Sequence, residues 1–164
     1  DNAEKIVVKT CNFTVQGLTQ PRDKKYTPQT HVDAQFSLPY TTAVAICRNR
    51  TGIDEYKKET FTDPEILRVT SLVTAEVDPE AEKVYPKYYP ATMEATLKDG
   101  RVFTSHVDYP KGDPENPVNF DEIEVKFNQL TERYLNADKR KKFIETVKNL
   151  EQVKDISVIA EIIG

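Results

Sequence analysis

Apolar and polar residues alternate at the start of the chain. Val7, Cys11, Phe13 and Val15 stand among mostly polar neighbours, a period of two that predicts a half-buried strand over residues 5–15, ended by Gly17. Residues 18–34 carry Pro21, Pro28 and clustered polar residues without periodicity, so a long loop is expected, and loops of that length tend to be functional. The period then changes. Tyr40, Ala43, Val44 and Cys47 fall on one side of a helix capped by Ser37, with Pro39 in the first turn, where a missing amide costs nothing, and Gly52 as its stop. Residues 54–58 and 63–72 read as a short and a longer helix, the second capped by Asp63 with Pro64 behind it and carrying Ile66, Leu67 and Thr70. Residues 73–77 predict a strand.

Residues 91–97 and 101–109 predict a hairpin turned by Lys98-Asp99-Gly100. A three-residue loop with Gly100 in the left-handed region gathers Met93, Ala95, Leu97, Phe103 and Val107 on one face, and it turns His106 away beside Thr92 and Thr104. The prolines Pro110, Pro114 and Pro117 then allow neither helix nor sheet to run through. Asn119 and Glu122 have the spacing of a capping box, and Ile123, Phe127, Leu130 and Tyr134 give the helix over 121–135 one apolar face. Helices over 139–150 and 156–163, the latter capped by Asp155, complete the chain. Strands mixed with clustered helices predict an α+β fold with helices on one face of a mostly antiparallel sheet.

With 164 residues the length suits one domain with a sizeable core. No apolar run reaches the length of a membrane span. Acids and bases are interspersed for a net charge of −4, which leaves no extended positive surface and argues against nucleic acid as a partner. The basic run 139–142 reads as a solvated helix face. Cys11 and Cys47 have no metal-binding spacing and read as buried thiols in a reducing, cytoplasmic setting. The opening Asp1-Asn2-Ala3-Glu4 lacks an initiator Met and a signal peptide, so the chain reads as a piece of something longer.

The chemistry-bearing residues assemble no complete site: there is no phosphate loop, no His-Glu-x-x-His, no nucleophile elbow, and no acidic partner at ligand spacing for either histidine. His31 is a candidate acid or base in the long loop, although a lone loop histidine is more often simply exposed. Arg22, Lys24 and Lys25 in that loop, and Arg48 and Arg50 after the Tyr40 helix, are candidates for holding negative charge, with solvated surface charge as the ordinary alternative. Tyr40 by itself reads as the first residue of an apolar stripe. The unsatisfied amides and dipole of its helix start, with Ser37, offer a place where a carboxylate can dock.

Two segments in order carry a family resemblance. Gly112-Asp113-Pro114-Glu115-Asn116-Pro117, followed by an acidic helix start and Lys126-Phe127, resembles the C-terminal domain of the MmgE/PrpD family, which includes 2-methylcitrate dehydratases and cis-aconitate decarboxylases. Ala34-Gln35-Phe36-Ser37-Leu38-Pro39-Tyr40 resembles that family's Phe-Ser-Leu-Pro-Tyr segment. Tyr85-Pro86, Lys98-Asp99-Gly100 and the close at 148–151 extend the resemblance over nearly the whole chain.

The resemblance implies the lid-like C-terminal domain of a two-domain lyase whose all-helical N-terminal domain, with most catalytic residues, lies outside this chain. It implies a small di- or tricarboxylate substrate, no cofactor and a homodimeric full-length protein, while the short apolar runs lead us to expect no membrane association. Dehydration of 2-methylcitrate in propionate metabolism is the expected reaction, with decarboxylation and epimerisation as the family's other outcomes. In the family's cis-aconitate decarboxylases a tyrosine in the segment similar to 36–40 lies at the active site, and the resemblance carries a proton-donor or substrate-contact role onto Tyr40; Ser37, His31, Arg22 and Lys24, singled out above from the residues themselves, are the substrate-binding candidates. Half a site cannot orient or desolvate a polyanion, so the isolated chain is expected to be inactive. The alternative is a non-catalytic α+β module for dimerisation or small-acid binding.

Overall fold

The computed structural model describes residues 2–164, and its contacts gather into two compact units, Asp1–Asn116 and Pro117–Gly164. The first unit opens with β1 (Ala3–Thr10) and continues through α1 (Asn12–Thr19), α2 (Arg22–Tyr26), α3 (His31–Gln35) and α4 (Leu38–Arg48). A 3-10 turn (Ile53–Tyr56), α5 (Lys58–Phe61) and α6 (Pro64–Leu72) lead to β2 (Val73–Val77), α7 (Pro79–Val84) and the hairpin β3 (Ala91–Leu97) and β4 (Val102–Val107). The sheet order is β2-β1-β3-β4. β1 and β2 run parallel, while β1 with β3 and β3 with β4 are antiparallel, so the expected α+β class with a mostly antiparallel sheet is the one that forms.

Register decides which residues meet the helices. Ile6 pairs with Val73 and Ala95, and Val8 with Ala75 and Met93, so these six share one face. That face packs against Ala34, Leu38, Tyr40, Ala43, Val44, Phe61, Ile66 and Val69 from α3 to α6. Burying each large aliphatic side chain contributes about 1.5–3 kcal/mol of hydrophobic stabilisation, so this layer is the main stabilising element of the unit. The opposite face carries Lys9, which donates to Glu94 at 2.8 Å, beside Thr92. The salt bridge is about one-third exposed and is worth little.

Several sequence-based expectations are corrected. The first strand ends at Thr10 rather than running to 15, because Thr10↔Val77 is the last rung that β2 offers, and Cys11 instead becomes the N-cap of α1. Val15 and Thr19, one turn apart, are the residues α1 buries, whereas Phe13 is exposed and stacks on Tyr85 at 5.6 Å. Cys11 is fully buried and Cys47 half-buried, and burial raises the Cys47 thiol pKa. The expected loop over 18–34 holds the end of α1 and the short helices α2 and α3. α4 stops at Asn49, which adopts φ 52°, before Gly52 is reached. The expected helix over 54–58 is divided between the 3-10 turn and α5.

The hairpin forms as expected. Ala95 faces Phe103 across a three-residue loop whose Gly100 has φ 84°, a conformation that strains any residue with a Cβ. Yet Phe103 and Val107, on the helix-bearing side, remain exposed.

The second unit comprises α8 (Phe120–Thr131), α9 (Ala137–Lys148), a 3-10 turn (Leu150–Gln152) and α10 (Ser157–Ile163). The Asn119–Glu122 capping box is present in both directions at 2.9 Å. Asp155 accepts from the Ser157 amide, as expected for the last helix. α8 ends at Thr131 instead of 135 and buries no residue, so its apolar face is not the packed one expected. It is tied to α9 by the Phe127–Phe143 stack at 4.7 Å and by the Glu124–Lys148 and Asn128–Arg140 pairs. Among the described residues no helix is long and apolar enough to cross a membrane.

Candidate functional site

α2, α3 and the start of α4 pack on one another and hold the candidate residues. A five-residue helix cannot stand alone, since so few hydrogen bonds do not offset nucleation, and α2 has no side-chain cap bond. It is held by tertiary ties: the Tyr26 hydroxyl donates to the Val73 carbonyl at 2.9 Å, and the Arg22 guanidinium lies 3.9 Å from the centroid of the Tyr26 ring. α3 is fixed at its start by a capping box that 18–34 already contains. Thr30 accepts from the Asp33 amide at 3.1 Å, and Asp33 accepts from the Thr30 amide and hydroxyl. The Thr30 hydroxyl bond is the main cause of an Asp33 pKa below the ordinary carboxylate value.

The structure divides the candidates by depth. Arg22, Lys24 and His31 are exposed on α2 and α3. Ser37 and Tyr40 are buried. The Ser37 hydroxyl accepts from the Tyr40 amide at 3.1 Å and donates to the Lys25 carbonyl, so both of its roles have internal partners. The Thr41 amide donates to the Ser37 carbonyl, and Leu38 and Pro39 are buried, so the α4 start is a sealed cap rather than an open berth for a carboxylate. Tyr40 has 0% exposure, its phenol donates to the Glu55 backbone carbonyl, and its ring lies 6.2 Å from that of Tyr56. Burial first, and the neighbouring Tyr56 and Glu55 next, raise the Tyr40 pKa, so the phenol is held neutral as a hydrogen-bond donor. In this chain Tyr40 is a packing residue without an open face.

The remaining cations are largely committed. Arg48 pairs with Asp63 at 2.5 Å. Arg50 pairs at 2.6 Å with Glu55, whose buried carboxylate also accepts from the Gly52 amide. The Lys25 ammonium donates to the Phe36 carbonyl. The sequence reading missed the roles of Lys25 and Tyr26, for which no local spacing gives a signal, and of Glu55, which stands three residues after the Gly52 amide that it caps.

His106 does have an acidic neighbour, contrary to expectation. Its Nε2 lies 3.1 Å from Asp108, and its Nδ1 is 2.7 Å from the Thr92 hydroxyl, on the exposed outer face where the hairpin register puts it. In the second unit a cleft of about 280 Å³ is lined by Glu124, Asn128, Arg140, Lys141, Ile144 and Lys148. There Lys148 pairs with Glu124, and Arg140 donates to Asn128 and to the Leu135 carbonyl, so the cleft is knitted by its own side chains. Among the described residues no group of three His, Cys, Asp or Glu side chains is placed to hold a metal ion.

This α+β domain carries Arg22 and Lys24 exposed on α2 and His31 exposed on α3, over a sealed helix start, and among the described residues no acid–base pair is assembled in a cleft. The chain belongs to the MmgE/PrpD family, matching the MmgE/PrpD C-terminal domain over residues 1–152. It is 25% identical over 163 residues to the cis-aconitate decarboxylase of Homo sapiens and 23% identical to that of Mus musculus. Each alignment covers 99% of this chain and 32% of the relative, so the chain spans about a third of the length of the curated relatives it matches.

Proposed function

We propose that this chain is the C-terminal domain of a lyase acting on a small tricarboxylate, and that the reaction is a dehydration of the 2-methylcitrate type. The observation that carries this reading is the family match over nearly the whole chain, and the relatives' substrate, cis-aconitate, is itself a tricarboxylate. In such a dehydration a base takes the proton next to a carboxylate, the carbon–oxygen bond breaks, and the hydroxyl leaves as water with a proton from an acid. Negative charge builds on the carboxylate as the C–H bond breaks, and fixed positive or hydrogen-bonding groups stabilise it.

This chain's part is binding. Arg22, Lys24 and His31 provide exposed positive and donor groups on α2 and α3, while Ser37 and Tyr40 fix the α4 start behind them. The base is assigned to a helical domain outside these residues. The test is turnover by the full-length protein. We expect 2-methylcitrate to give an alkene, read as a rise in ultraviolet absorbance, and the isolated chain to be inactive. An Arg22→Ala/Lys24→Ala variant should raise KM about tenfold or more, since each bond between a charged donor and a carboxylate contributes about 1.5–3 kcal/mol. Carbon dioxide release from cis-aconitate, without action on 2-methylcitrate, would replace dehydration by decarboxylation.

A further inference from the structure

We propose that Lys25 is a positioning residue of this site: it clamps the helix bearing Arg22 and Lys24 to the turn that ends the helix bearing His31. The inference rests on the binding role assigned above to those three residues. Lys25 makes a two-way exchange with the turn between α3 and α4. Its Nζ donates to the Phe36 carbonyl at 2.5 Å, and its own carbonyl accepts from the Ser37 hydroxyl at 2.5 Å. One residue of α2 therefore grips both residues of the turn.

The turn is rigid on its far side. The Phe36 amide donates to the Val32 carbonyl at 3.0 Å and the Ser37 amide to that of Ala34, which closes α3 onto it. Ser37, 1% exposed, then caps α4 through the Tyr40 amide. On the near side α2 has five residues and no side-chain cap bond, so Lys25 and the Tyr26–Val73 bond are the polar ties that hold it. Lys25 is half-buried where Arg22 and Lys24 are exposed, and its ammonium is already engaged by the Phe36 carbonyl at the surface. A polycarboxylate binds tightly when its several cationic partners keep a fixed spacing, because the cost of ordering them is already met in the free protein. Releasing α2 should therefore weaken binding more than it slows the chemical step.

The experiment compares Lys25→Met, which keeps the methylene stem and removes the donor, with Lys25→Arg, which restores one, in the full-length protein. We expect Lys25→Met to raise KM about fivefold or more with kcat changed by no more than about twofold. Backbone amides of residues 22–37 should exchange faster, while those of β1 and α6 keep their protection. Lys25→Arg should recover most of both effects. An unchanged KM with unchanged exchange, or a fall in kcat matching the rise in KM, overturns the proposal. Should the Met variant not fold, Lys25→Gln repeats the comparison. If the wild-type protein turns over no small polycarboxylate, the functional reading fails by itself. The exchange data then decide the clamp: faster exchange confined to 22–37 supports it, and unchanged exchange overturns it.

Discussion

Ser37 caps α4 through the Tyr40 amide, and Asn119 caps α8 through a two-way exchange with Glu122, so the two helices begin with equally well-made starts. Their apolar stripes differ. α4 buries Tyr40, Ala43 and Val44 completely against β1, β2 and α6, whereas α8 has no buried residue, with Ile123 48% and Val125 56% exposed. A cap is a local bond between residues three apart, decided by the residues themselves. Burial is decided by what the rest of the chain brings to the stripe: in the first unit α4 meets β2 and several helices, whereas in the second unit α8 meets α9.

This contrast orders the expected effects of substitution. Tyr40→Ala should cost about 3–5 kcal/mol, the range for deleting a buried aromatic ring, and should unfold the first unit at far lower urea in far-UV circular dichroism. Tyr40→Phe keeps the ring but strands the Glu55 carbonyl, so a loss of about 1–3 kcal/mol is expected. The same variant tests the pH dependence. The folded phenol has its pKa raised above the ordinary 10.0, so the unfolded phenol ionises first as pH climbs. The stability it contributes is full below about pH 10 and falls above it. Tyr40→Phe should flatten that alkaline fall in urea titrations, and an unaltered slope would show that the phenol is not held neutral.

In the second unit the expected effects are smaller. Asn119→Ala removes the α8 cap and should cost about 1 kcal/mol, seen as faster exchange of the Glu122 amide. Ile123→Ser should change stability by no more than about 0.5 kcal/mol, as at other exposed positions. A loss above about 2 kcal/mol at Ile123 would show that the α8 stripe is covered after all and would erase the contrast with α4.

What the sequence made legible follows the same division. The Ser37 and Asp63 caps, the Gly100 turn and the hairpin register are set by neighbours, and all of them form. The alternation across Cys11, Phe13 and Val15 misled because a strand is as long as its partner allows, and β2 ends at Val77. The helices over 22–35 had one local signal, Thr30 with Asp33, and α2 had none, since it is held by Tyr26 reaching Val73, 47 residues away. The candidate site was legible as a set of residues but not as depths. The helical period already puts Tyr40 on the apolar stripe with Ala43 and Val44, but nothing in Phe36-Ser37-Leu38-Pro39-Tyr40 shows that the serine turns inward to Lys25 while the phenylalanine stays 58% exposed.

Tyr40 is where the family resemblance and the packing of this chain assign different work, and its hydroxyl is the atom to remove. The most direct measurement is turnover of 2-methylcitrate by full-length Tyr40→Phe at a temperature where variant and wild type are both folded. With the phenol as a buried frame for the exposed cations, kcat should stay within about threefold of wild type while stability falls. A loss of about a hundredfold or more in kcat with unchanged stability would put that hydroxyl at the reacting atoms and contradict the account.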